Sequence, residues 1–164
     1  MYENTFSNDK AKHLEICKYL TFWCNQNIYA VSTFDVLQIM EMTHITPIPD
    51  SPSYVRGILH LRGHNVPILD LGLRLHEAPA EQSKTARIVI LSTKEGDLGL
   101  IVESIGEIVD LSSLDIEDVP KLAVSMGKRT LNAVAIHDGT LIPILDIITL
   151  LSDDAISSID LSQD

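Results

Sequence analysis

The hydrophobic positions of this chain fall into short runs separated by turn residues, a pattern typical of short β-strands. Four of these runs form two pairs, which are 18–24 with 28–32 and 87–92 with 98–102. Asn25-Gln26-Asn27 separates the first pair, and the segment around Gly96 separates the second. Asn and Gly tolerate the left-handed backbone of tight turns, so each pair is predicted to form a β-hairpin.

Two further hairpins are predicted from the same pattern, 57–62 with 66–70 and 131–137 with 140–146. Asp138-Gly139 is a strong turn signal in the second of them. Pro67 and Pro143 lie inside the returning strands, and proline cannot donate a hydrogen bond to a strand ladder. We therefore expect both prolines to mark a strand edge or a bulge where a small barrel closes.

Helical signals are few. The segments that follow Asp70 and Asp146 are predicted to be short helices, and Asp50-Ser51-Pro52 predicts an N-cap that opens one helical turn through Val55. The segments 36–42 and 105–111 are too short to be assigned to helix or strand from their periodicity.

The chain contains an internal duplication. The sequence Pro-Ile-Leu-Asp occurs at 67–70 and again at 143–146, and residues 20–39 align without a gap on 89–108. We therefore predict a first β-barrel half over 18–85 and a second over 86–151, between an N-terminal extension over 1–17 and an acidic tail over 152–164. A unit of this size buries too little surface to be stable alone, so the two halves are expected to share a core.

Composition narrows the classes of function. The net charge of −11 argues against a nucleic acid or an anionic membrane surface as the partner. Neither a leader sequence nor an apolar run long enough to span a bilayer is evident, so the cytoplasm is the expected location. Cys17 and Cys24 fit no zinc or disulfide pattern, and no cofactor or metal is expected.

Asp70 and Asp146 occupy equivalent places in the repeat, which raises the idea of a catalytic carboxylate dyad in a hydrolase. Each also stands where a strand meets a short helix, and there a carboxylate serves as an N-cap. Neither Asp is followed by the Thr-Gly or Ser-Gly of aspartic proteases, so capping is the preferred interpretation and no enzyme is predicted. His60 and His64 have the spacing of two metal ligands on one face of a helix. They lie in a predicted hairpin and not in a helix, so metal binding is not the preferred interpretation.

Two other side chains stand out singly, Arg62 and Trp23. Arg62 stands beside a turn glycine, whereas the equivalent position of the second repeat holds Asp138. Its guanidinium can pair with a carboxylate inside the protein or on a partner, or it can simply be solvated. Trp23 lies on a strand of alternating faces and is predicted to pack in the core.

The segments Val55-Arg56-Gly57-Ile58-Leu59-His60-Leu61-Arg62-Gly63 and Val66-Pro67-Ile68-Leu69-Asp70-Leu71 resemble the CheW family of bacterial chemotaxis coupling proteins. The resemblance covers about residues 18–151. It implies a mainly β fold of two tandem five-stranded SH3-like β-barrels packed together, with short helices. It also implies a non-catalytic scaffold that couples a CheA-type histidine kinase to the cytoplasmic tips of methyl-accepting chemotaxis receptors.

By this resemblance the receptor contacts a groove between the barrels, and the kinase contacts exposed barrel ends whose residues are not assigned. The receptor-binding residues implied are Val36, Gln38, Ile39, Gly57, Arg62, Val102 and Ile105. Family members commonly carry Glu where this chain has Gln38, so an ion pair with Arg62 is replaced by a hydrogen bond, or Glu41 substitutes. The departure leaves open a CheW-like module of a divergent chemosensory system with other partners.

Overall fold

The computed structural model describes residues 15–118, 131–147 and 150, and most of these residues lie in β-strands. The strands are β1 (Cys17–Cys24), β2 (Asn27–Ser32), β3 (Val36–Glu41), β4 (Val55–Leu61), β5 (His64–Asp70), β6 (Arg87–Thr93), β7 (Gly96–Val102), β8 (Ser104–Leu111), β9 (Ile116–Asp118), β10 (Leu131–His137) and β11 (Thr140–Leu145). One α-helix, α1 (Leu71–His76), follows β5. Two 3-10 turns, η1 (Thr33–Asp35) and η2 (Ser113–Asp115), precede β3 and β9.

All four predicted hairpins form. Their turns use residues with positive φ, as the turn signals required: Asn25 at 50° and Gln26 at 68°, Arg62 at 53° and Gly63 at 80°, Asp138 at 50° and Gly139 at 77°. Two consecutive residues of positive φ match the right-handed twist of the strands that they connect. The turn at Lys94-Glu95 is followed by Gly96, which has a φ of 129°.

The strands assemble into two sheets. The six-stranded sheet has the order β8-β1-β2-β11-β10-β9, and the five-stranded sheet has the order β3-β6-β7-β5-β4. Each sheet therefore takes strands from both sequence repeats. The predicted limits 18–85 and 86–151 describe the repeats and remain predictions as domain limits, but they are not the limits of the sheets.

The prediction of an edge or a bulge at Pro67 and Pro143 is wrong. Both prolines lie in strands that have neighbours on each side, and the bulges of these hairpins fall at Val55/Gly57 and Leu131/Ala133. Pro67 is opposite Ile58 of β4, and the parallel pairing of β5 with β7 begins one residue later at Ile68. Pro143 has the same arrangement, because β11 meets β2 at Ile144. Each missing N–H group therefore falls where the second neighbour has not yet begun to pair.

The helix N-cap predicted at Asp50-Ser51-Pro52 is wrong, although a single turn through Val55 does form. Asp50 has a φ of 58°, which is left-handed, whereas an N-cap residue has an extended backbone. The Val55 N–H donates to the Pro52 carbonyl at 3.0 Å, which closes an isolated turn before β4 begins. The two segments left unassigned, 36–42 and 105–111, lie largely in strands β3 and β8.

The predicted helix after Asp70 is α1, and Asp70 caps it by accepting from the Leu73 N–H at 3.1 Å. After Asp146, the described residues Ile147 and Leu150 are helical, and the Leu150 N–H donates to the Asp146 carbonyl at 3.1 Å. The acidic tail over 152–164 and most of the N-terminal extension lie outside the described residues.

One hydrophobic cluster joins the two sheets. Phe22 and Tyr29 of the six-stranded sheet belong to the same buried cluster as Ile68 and Leu100 of the five-stranded sheet. A smaller cluster around Leu111 and Ile142 lies within the six-stranded sheet. The two halves of the chain thus share a core, as their small size predicted. Trp23 was expected in this core, but its side chain is 41% exposed.

Candidate partner-binding surface

Among the described strands, β3 forms one edge of the five-stranded sheet and pairs only with β6. Its side chains alternate as a strand requires. Val36 and Gln38 are half-buried, whereas Leu37 is exposed and Ile39 is 41% exposed. The edge of this sheet therefore presents apolar side chains to solvent.

Arg62 connects this edge to the opposite one. It lies in the turn between β4 and β5, and its Nη2 donates to Gln38 Oε1 at 3.5 Å. Since β3 and β4 are the two outermost strands of the sheet, this contact spans the line along which the sheet closes. Thr46 and Ile58 close the same line with two backbone hydrogen bonds of 3.0 and 2.8 Å.

The hydrogen-bond acceptor of Arg62 is a neutral amide at the long limit of hydrogen-bond distance. Among the residues that the structure describes, no carboxylate forms an ion pair with Arg62. The predicted contact with Gln38 is confirmed, and no carboxylate of the described residues compensates the positive charge of the guanidinium.

Gly57 supports this closure from inside. It is buried with a φ of 144°, and a Cβ built on it would lie 2.0 Å from the carbonyl oxygen of Thr46. Any larger side chain would push apart the backbone of β4 and the segment that contains Thr46. Gly57 thus acts on the surface through the backbone and does not itself present a contact.

Val102 and Ile105 lie on either side of the passage from β7 to β8. Val102 is fully buried, so its side chain is not available to contact a partner. Ile105 is half-buried and packs with Val36 against the cluster that joins the sheets. Of the seven residues implied by the resemblance, the structure brings Gln38 and Arg62 into contact and places Val36 and Ile105 on one cluster.

Several exposed apolar residues were not predicted, among them Leu37, Ile108 and Phe34. Ile108 is 58% exposed on β8, and it is the repeat equivalent of the exposed Ile39. The gapless alignment of the repeats could have identified it. Phe34 in η1 is 86% exposed, and no periodicity marks a residue in so short a turn.

The environment of Asp70 does not suit catalysis. The carboxylate is fully buried; its Oδ1 accepts from the N–H groups of Leu73 and Ala80, and its Oδ2 lies 3.5 Å from Arg56 Nε. No substrate can reach a side chain without exposed surface, so the capping interpretation holds for Asp70. Asp146 instead lines an open cleft of about 470 Å³ together with Asp35 and Lys94.

Metal binding finds no support in the described part of the chain, where no group of three or more potential His, Cys, Asp or Glu ligands occurs. His60 Nδ1 lies 3.0 Å from Asn65 Oδ1 on the neighbouring strand. In the same residues no helix is long and apolar enough to cross a membrane. Trp23 is flanked by two open clefts of about 390 and 350 Å³.

Comparison with known proteins agrees with this architecture. A family model described as the CheW-like domain matches residues 18–155. The chemotaxis protein CheW of Treponema pallidum is 29% identical over 137 residues, covering 81% of each chain. CheW of Rhizobium meliloti is also 29% identical, over 139 residues that cover 84% of this chain and 90% of the relative.

A solved structure, that of the scaffolding protein TtCheW from Thermoanaerobacter tengcongensis, superposes with a TM-score of 0.78 at 27% identity. The match covers 86% of this chain and 96% of that one. The mainly β fold of two SH3-like barrels is thereby confirmed, with six strands in one sheet where five were expected. From this match and the family model, the chain belongs to the CheW-like domain family.

Proposed function

We propose that this chain is a cytoplasmic, non-catalytic scaffold that couples a CheA-type histidine kinase to methyl-accepting chemotaxis receptors. Membership of the CheW-like family supports the proposal, as do relatives named as chemotaxis proteins and a structural neighbour named as a scaffolding protein. A coupling role requires two binding surfaces on one stiff body. A core shared between the sheets fits that requirement.

The observation that carries the receptor assignment is the Arg62–Gln38 contact on edge strand β3, whose opposite face exposes Leu37 and Ile39. A cation bordering an apolar strip can fix the orientation of an amphipathic helix that buries its own apolar face there. Val36 lies on the same face of β3 as Gln38 and packs with Ile105 against the cluster that joins the sheets. Gly57 permits the backbone closure at Thr46, and Val102 is buried. The kinase surface has no assigned residues.

A second candidate is a CheW-like module of a divergent chemosensory system with other partners. Gln38 favours it, because Arg62 contacts a neutral side chain where the family commonly has an acidic one. The Glu41 alternative finds no support, since the Arg62 guanidinium donates to Gln38.

The test is calorimetric titration of the protein with a receptor-tip hairpin and, separately, with the regulatory domain of the CheA-type kinase from the same genome. We expect both to bind. Arg62→Ala should weaken receptor binding about tenfold and leave kinase binding unchanged, because its charge lies at the proposed receptor surface.

Lys84→Ala is the matched control, since it removes an exposed cation from the linker between the repeats. If the folded protein binds the kinase domain but no receptor hairpin, the divergent-system candidate replaces the first one. If it binds neither partner, the scaffold proposal fails for this pathway.

A further inference from the structure

The chain passes from one sheet to the other at two places in the described strands. The first is η1, between β2 and β3. The second is a single residue, Glu103, between the end of β7 at Val102 and the start of β8 at Ser104. A one-residue connection makes Glu103 the joint about which the two sheets are oriented.

Glu103 binds two separate segments at once. Its Oε1 accepts from the Asn25 N–H at 2.8 Å, and its Oε2 accepts from the Glu81 N–H at 2.8 Å. Its own N–H donates to the Trp23 carbonyl at 2.9 Å, and its carbonyl accepts from Thr85 Oγ1 at 2.8 Å. The first hairpin turn, the linker between the repeats and the joint itself therefore meet at this residue.

Two carboxylates hold the linker between the repeats, because they accept hydrogen bonds from two adjacent backbone N–H groups. Ala80 donates to Asp70 Oδ1 at 2.9 Å, and the next N–H, that of Glu81, donates to Glu103. Asn25 Nδ2 adds a hydrogen bond of 3.1 Å to the Ala78 carbonyl. The hairpin turn of the six-stranded sheet is thus tied to the linker that enters the five-stranded sheet.

The shared apolar cluster resists separation of the sheets, but hydrophobic contact has no preferred direction and permits small rotations. Hydrogen bonds to an ionised carboxylate are directional and short. We infer that Glu103 is a positioning residue: its carboxylate fixes the relative orientation of the two barrels at their one-residue joint. This inference needs no partner and stands independently of the proposed function.

Glu103→Ala removes both acceptors and tests the inference by nuclear magnetic resonance. The amides of Asn25 and Glu81 should exchange with solvent at least about tenfold faster, because both lose their hydrogen-bond acceptor. Residual dipolar couplings from the two sheets should fit one alignment tensor in the parent protein and need two tensors in the variant.

Two further variants sharpen the test. Glu103→Gln keeps one carbonyl oxygen, so one of the two amides should retain its slow exchange; this variant also serves if Glu103→Ala does not fold. Glu107→Gln is the control, since its side chain is exposed on the adjoining strand β8, and it should change neither readout. If the sheets of folded Glu103 variants still fit the parent tensor, the carboxylate has only a local role and the inference is overturned.

Discussion

Arg62 faces Gln38 across the closing line of the five-stranded sheet, at 3.5 Å and in solvent. A neutral hydrogen bond of this kind contributes about 1 kcal/mol or less to folding. Removing Arg62 should therefore leave the fold nearly unchanged, which lets Arg62→Ala report on binding. An ion pair at this place would both close the sheet and neutralise the charge of Arg62. Gln38 helps to close the sheet but leaves the charge of Arg62 in place.

Cys24 predicts how stability depends on pH. Burial, with smaller contributions from Glu103 and Asp70, raises the pKa of this thiol from 9.0 to about 12. Above pH 9 the unfolded chain releases the proton while the folded protein keeps it. The free energy of unfolding should therefore be independent of this group below pH 9 and fall progressively between pH 9 and 12.

Urea unfolding of the parent and Cys24→Ala at pH 8, 9 and 10 measures this dependence. The parent should lose stability more steeply between pH 9 and 10 than the variant. Burial also raises the pKa of Tyr29 from 10.0 to about 12, so Tyr29 adds its own loss mainly above pH 10. Equal slopes for parent and variant below pH 10 would contradict the assignment to Cys24.

At the scale of the elements, the position of strand β4 against the Thr46 backbone requires a glycine at residue 57. A Cβ added there would lie 2.0 Å from the Thr46 carbonyl oxygen, and backbone cannot move aside as a flexible side chain can. Gly57→Ala should cost about 3 kcal/mol or more, measured by urea unfolding. This loss of stability has two causes, the close approach to Thr46 and the φ of 144°, which an alanine rarely adopts.

Gly63→Ala provides the matched control for Gly57→Ala. Gly63 also has a positive φ, of 80°, but nothing lies within 4 Å of an added Cβ. It should therefore show only the conformational cost of about 1–2 kcal/mol. If the two variants lose equal stability, the Thr46 contact contributes nothing and β4 tolerates the larger side chain.

The hairpins were predictable because their turn residues limit the backbone locally, as at Asn25 and at Asp138-Gly139. Asp50-Ser51-Pro52 led to the wrong prediction of a helix N-cap, because the same residue types that cap helices also form isolated turns. The Arg62–Gln38 contact followed from the family resemblance. The burial of Val102 and the exposure of Trp23 did not follow, because alternation along a strand does not reveal what covers each face.

For the whole molecule, the repeats and the sheets divide the chain differently. A fragment over 18–85 would hold β1 and β2 without β8 and β11, and β3 to β5 without β6 and β7. Neither this fragment nor 86–151 should fold alone, because each exposes unpaired strand edges and half of the shared core.

Amide proton spectra of the two fragments decide this point. We expect narrow dispersion and no cooperative unfolding for either fragment, in contrast to the intact chain. A fragment with a dispersed spectrum and a sigmoidal urea transition would mean that the repeats are independent folding units after all.

The exchange of strands between repeats has a consequence for biosynthesis. Strands β3 to β7 are contiguous in sequence, so the five-stranded sheet has all its strands once β7 has left the ribosome. The β1–β2 hairpin is translated first, yet its neighbours β8 and β11 emerge only afterwards. The edges of the β1–β2 hairpin therefore stay unpaired during translation until β8 and β11 arrive, and unpaired strand edges are prone to aggregation.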